Sequence, residues 1–134
     1  MNNAARAESM ALLELMRRLQ RGPRREGVFA LWMLCRVAWD IAVREQADPR
    51  TDRKRVALLE KRLAPLAVPR PLARGLETSL LHLAEGSAEG ARLALAQLAA
   101  PSRDAIGPEA AEPIERMVRI LRTLPPAPPL PNRA

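Results

Sequence analysis

An all-α fold, a single compact bundle of about six helices followed by a Pro-rich C-terminal tail, is what this 134-residue chain predicts. Three observations lead there. Apolar residues recur at the three- and four-residue spacing of a helix face wherever a period can be read. No stretch alternates polar and apolar residues, or gathers β-branched ones, as a strand does. Gly and Pro punctuate the chain about once per helix length, at Gly22-Pro23, Pro49, Pro65, Gly86, Pro101 and Gly107-Pro108.

The first helix is expected from Asn3 to Arg21, with Leu12, Leu15, Met16 and Leu19 on one stripe. Gly22-Pro23 ends it and starts the next, because Pro is tolerated in a first turn. The second helix is expected from Arg24 to Ala47, stopping before Pro49, whose ring disfavours helical geometry in the residue ahead of it. Between Val28 and Val43 it is apolar all round except for Arg36 and Asp40, which predicts a helix surrounded by others at the centre of the bundle. Asp52 is the expected N-cap of the third helix, which carries Val56, Leu59 and Leu63 to a break at Pro65. A Pro-punctuated connector leads to a fourth helix with the stripe Leu72, Leu76, Leu80 and Leu83. Gly86 is its stop and Ser87 caps the fifth, expected from Ala88 to Ala100, so these two form a tight hairpin. After Pro101 and Gly107-Pro108, the sixth faces the core with Ile114, Met117, Val118 and Leu121. Residues 1–124 thus read as one bundle domain and 125–134 as an extended polyproline tail, a possible docking peptide.

Composition narrows the class. The single Cys35 excludes a disulfide scaffold and a Cys-based zinc site. Glu8 and Glu14 interrupt the only candidate signal-peptide run, and the most apolar segment, residues 28–43, is shorter than the roughly 20 residues of a membrane span. No membrane span and a cytoplasmic protein are the expectation. Catalytic constellations are missing too. His82 is the only histidine, Ser79 lies one turn before it with no third group to orient it, and no glycine-rich phosphate loop is present. A non-enzymatic protein with no cofactor and no metal is expected.

The charge is more informative. Lys and Arg number 22 against 15 Asp and Glu, a formal net charge of +7, and only Lys54 and Lys61 are lysines. Residues 1–62 carry 14 basic and 8 acidic side chains, residues 63–134 carry 8 and 7, so the excess belongs to the first half. It also sits at unusual places. Acids favour a helix N-terminus, yet Arg24 and Arg25 open the second helix, Arg53, Lys54 and Arg55 the third, and Arg70 and Arg74 the fourth. Short turns make successive helices antiparallel, which gathers Arg17, Arg18, Arg21, Arg24, Arg25, Lys61, Arg62, Arg70 and Arg74 at one pole. Arg50, Arg53, Lys54 and Arg55 form a secondary cluster at the other, diluted by Asp48 and Asp52. Such a pole suits an acidic protein partner or the phosphates of a nucleic acid, although codon bias alone also enriches Arg.

Inside the second helix, Arg36 and Asp40 share a face beside Trp32 and Trp39, at a spacing that permits an ion pair. They read either as an internally satisfied pair or as a pocket in which Arg36 takes an anion between indole walls. All three aromatics, Phe29, Trp32 and Trp39, lie on this helix and are expected in the core, which disfavours base stacking. The segment from Leu66 to Leu76 faintly resembles the turn and recognition helix of helix-turn-helix proteins, but Pro65 breaks the preceding helix early and the turn is one residue short. The leading expectation is an interaction protein, an adaptor, regulator or small subunit, that docks an acidic partner through the Arg-rich pole. A nucleic-acid-binding protein using the same pole is second, and a small-ligand sensor around Arg36, Trp32 and Trp39 third.

Overall fold

A computed structural model of the chain describes residues 3–44 and 46–124. Its elements are α1 (Asn3–Arg18), α2 (Pro23–Ala42), α3 (Pro49–Leu63), α4 (Arg70–Leu83), α5 (Ala88–Ala96), α6 (Ala99–Ala105) and α7 (Pro108–Thr123). The described residues contain helices and no strands. The Pro-rich tail expected over 125–134 lies outside the described residues.

Helix α2 is the central element. It packs against α1, α5, α3 and α7, and it buries Val28, Leu31, Leu34, Ala38 and Ile41. Gly27 lets the α4 entrance close on it, since a Cβ there would meet Leu72 Cδ2 at 2.9 Å and Pro69 Cδ at 3.3 Å. Helix α7 covers one side with Ile114, Met117 and Leu121, while Leu12 and Leu15 of α1 fill the space between them. The Glu8 carboxylate, nearly buried, accepts from Arg116 Nε at 2.8 Å and ties α1 to α7.

Several boundaries differ from the sequence expectation, each for a local reason. Asp48 caps α3, not Asp52: its side chain accepts from Thr51 N at 3.3 Å, with Pro49 at the first helical position. That start requires a turn ahead of it, so α2 ends at Ala42 instead of running to Ala47. The fifth helix expected to Ala100 is two helices. Helix α5 stops at Ala96, and Pro101 lies within the first turn of the short α6, where a missing N–H costs no intrahelical bond. Ser87 does cap α5, accepting from Gly90 N at 3.0 Å, and Gly86 turns the chain with φ 71°.

Candidate functional site

The anticipated basic end can now be assembled residue by residue. The last turn of α1, the first turn of α2 and the α3–α4 connector do meet. Arg25 Nε donates to Met16 O at 3.3 Å, and Glu26 accepts from Ala67 N at 3.2 Å. Two features were not visible in the sequence. The start of α7 joins the same end, where Glu109 pairs with Arg18 at 3.0 Å. The C-terminus of α6 joins it too, and Arg24 donates to the Ile106 carbonyl there.

These contacts give the cations at the start of α2 a structural explanation. A cation opposes the dipole at the start of its own helix, but Arg24 and Arg25 each reach the C-terminal carbonyls of a neighbour, α6 and α1, where positive charge is favourable. The anomaly that pointed to an anion site at α2 is in part helix capping between elements. Arg17, Arg21, Lys61, Arg62, Arg70 and Arg74 remain exposed.

The secondary cluster is not one group. Arg50, Arg53 and Lys54 are exposed on α3, whereas Arg55 turns toward α2 and donates to Asp40 Oδ2 at 2.8 Å. The Arg36–Asp40 pair that their spacing permits is therefore not made, because Asp40 is taken by Arg55 from the neighbouring helix. Arg36 instead lies over the indole of Trp32, its guanidinium carbon 5.3 Å from the ring centroid. Asp52, displaced from the capping role, is 2% exposed inside the first turn of α3 and pairs with Arg44 from the α2–α3 linker.

Two ion pairs thus join α3 to α2 and to the linker ahead of it. Of its fifteen residues Val56 and Leu59 bury an apolar side chain against the bundle, and Leu63 packs on it partly buried. Helix α3 runs antiparallel along the outward face of α2, Arg55 level with Asp40 and Arg62 near Trp32. Between the two helices a cleft of about 280 Å³ is left open to solvent. Trp32, Met33, Val37 and Leu59 line it with apolar surface, Leu58 stands at its edge 48% exposed, and Arg36, Arg55 and Arg62 bring cations to it.

The pocket expected around Arg36, Trp32 and Trp39 is corrected accordingly. Trp32 and Arg36 line the cleft, but Trp39 is buried at 2% exposure within the core, and Asp40 is engaged by Arg55. The aromatics are not all in the core either. Phe29 and Trp32 are half-buried on the outward face of α2 and stack with centroids 6.1 Å apart. The segment that resembles a recognition helix packs differently, since α4 lies mainly on α5 and α6 rather than pairing with α3.

Two of the groups weighed for catalysis, Ser79 and Cys35, are buried. Ser79 is fully buried and donates to Ala94 O at 2.9 Å, across the α4–α5 hairpin. Burial pushes the Cys35 thiol from 9.0 up to about 12. The sign of its effect on stability follows directly. Above its unfolded value the unfolded chain releases the proton while the folded chain keeps it, so stability should fall with rising pH between 9.0 and about 12. The expected slope is about 1.4 kcal/mol per pH unit, and Cys35→Ala should remove it. With no Tyr and two Lys in the chain, urea midpoints across that window read the thiol with little interference. A slope unchanged by Cys35→Ala would mean that solvent reaches the sulfur.

Among the described residues no helix is long and apolar enough to cross a membrane, and no three His, Cys, Asp or Glu side chains gather where they could hold a metal ion. A helical bundle whose second and third helices enclose an open, arginine-lined apolar cleft is the class that fold and site define. Comparison with family models, curated proteins and solved structures finds no match.

Proposed function

We propose that the protein is a non-enzymatic docking module, an adaptor, regulator or small subunit, that binds an acidic protein partner through its arginine-rich end. One observation supports this above the others. With the internal contacts of Arg18, Arg24, Arg25 and Arg55 assigned, Arg17, Arg21, Lys61, Arg62, Arg70 and Arg74 are exposed and make no ion pair with a described residue. Unneutralised like charges on one end raise the potential there, which steers an acidic surface toward it.

Phosphates of a nucleic acid would meet the same arginines. The apolar content of the adjoining cleft favours a protein, since a phosphate backbone has no counterpart for Leu58 and Met33, whereas protein interfaces mix apolar anchors with arginine.

The test is a variant with Arg17, Arg21, Arg70 and Arg74 all changed to Glu. Arg18, Arg24 and Arg25 are left in place because they hold helix ends together. The variant is expected to keep the wild-type circular dichroism and to lose the acidic protein that tagged wild type retains from nuclease-treated extract of its host. Equal retention by both proteins overturns the proposal. Retention that disappears with nuclease treatment, or falls linearly with salt on a log–log plot against random duplex, transfers the surface to nucleic acid.

A further inference from the structure

The cleft between α2 and α3 is not explained by the needs of the fold. A bundle gains by covering Trp32 of α2 and Leu58 of α3, yet the gap between these two helices stays open and is lined by Arg36, Arg55 and Arg62. Arg62 and Arg36 bring full charges to the cleft without a carboxylate among the described residues, and Arg36 is held in place by its stacking on Trp32. A guanidinium held over an indole by a cation–π contact keeps N–H groups available to a carboxylate.

From this we infer that the cleft is the seat of an acidic amphipathic helix of a partner protein, with an apolar side chain on Trp32 and Met33 and carboxylates on Arg36 and Arg62. The inference deepens the docking proposal and rests on it for the acidic character of the partner. Charge complementarity selects the occupant. The chain's own residues 125–134 contain Arg133 and no Asp or Glu, so they offer the cleft's arginines no acidic side chain. A second copy meeting face to face would oppose the same arginines. A small carboxylate ligand is disfavoured by the openness of the cleft, since dedicated ligand sites bury most of the ligand's surface. A groove between two antiparallel helices instead accepts a third helix, read by anchors at successive turns. Arg55 and Arg62 are two turns apart on α3, about 10 Å along its axis, so a bound helix would present its acids at a similar interval. Arg55 is already paired with Asp40 and would share its guanidinium.

The probe is a synthetic amphipathic helical peptide with Leu at alternating three- and four-residue spacing and Glu flanking that stripe, titrated against the full chain by calorimetry and tryptophan emission. Saturable binding with a change in tryptophan emission is expected. Affinity should fall roughly tenfold for Arg36→Gln and again for Arg62→Gln, the scale of losing one charge-assisted contact each. Leu58→Glu should weaken it further. All three side chains are exposed, so circular dichroism and thermal midpoint should stay near wild type in each variant. A Leu-to-Ala version of the peptide should not bind. No saturable binding, or equal binding by wild type and the Arg36→Gln/Arg62→Gln variant, overturns the inference. Displacement of the peptide by laurate with equal tightness assigns the cleft to a small amphiphile and overturns the occupant, as does a concentration-dependent dimer that the peptide dissolves. The variant with Arg17, Arg21, Arg70 and Arg74 changed to Glu separates this outcome from the docking proposal. If it still binds the peptide while retaining its partner as wild type does, the charged end fails and the cleft stands.

Discussion

Replacing Arg44 by Ala is expected to lower the unfolding free energy by about 3–5 kcal/mol, the range for breaking a buried ion pair and leaving one charge without its partner. The asymmetry within the pair sets the choice of variant. Asp52 is 2% exposed, while the Arg44 side chain is 23% exposed and could turn to water if it lost its partner. Removing the arginine strands the carboxylate, which among the described residues accepts a side-chain hydrogen bond from Arg44 alone. A urea titration measures the loss. The double replacement Arg44→Met/Asp52→Leu should recover much of it, because two apolar side chains need no mutual compensation. A loss under about 1 kcal/mol in the single variant would place the pair with ordinary surface ion pairs. The prediction bears on function as well. The Arg44–Asp52 and Arg55–Asp40 pairs dock α3, so a variant that loosens α3 without unfolding the bundle should lose the cleft with it.

Gly90→Ala is expected to cost about 1–3 kcal/mol despite placing a better helix former inside a helix. In isolation the exchange would stabilise by about 1 kcal/mol. In the fold, a Cβ at this position would lie under 3.0 Å from the His82 carbonyl oxygen, and 3.0 Å from Glu85 Oε2. The obstacle is backbone, which cannot step aside as a side chain does. Helices α4 and α5 would have to separate, stretching the Ser79–Ala94 hydrogen bond that joins them. Gly75 makes a useful contrast. Its Cβ would meet the Pro101 ring at 2.8 Å, and because that ring is tied to the α6 backbone the helix itself must shift; the approach is less close than that of Gly90 to His82 O, so Gly75→Ala should cost less. Chemical denaturation of the two variants in parallel decides the order. Gly90→Ala at or above wild-type stability would mean that α5 does not approach the His82 carbonyl this closely.

The local pattern was legible where the cause is local. Apolar spacing located the helices, and the uniform apolar girth of residues 28–43 marked α2 as the central one. Ser87 and Gly86 announced the α4–α5 hairpin through capping chemistry that operates within four residues. Where two candidates competed locally, the choice was misread. Asp48 and Asp52 both suit an N-cap, and Pro49 between them favours Asp48, since Pro belongs at the first helical position. In the sequence Pro101 reads as a stop, yet its place in a first turn makes it equally a start.

The charges show where sequence reasoning ends. That the first half of the chain is basic, and that cations open α2, α3 and α4, is a property of the sequence alone. What those cations do was decided by which helix ends meet. Arg24 reaches a carbonyl 82 residues away, Arg18 a carboxylate 91 away, and Arg55 takes Asp40 from the Arg36 that stands one turn from it. The helical period records which residues share a face of one element. It carries no information on which faces of two elements are brought together, because that follows from packing the whole core at once. The helical class was therefore set by the sequence, while the division of its arginines into caps, ion pairs and free cations, and the cleft that two of the free ones guard, belongs to the tertiary structure.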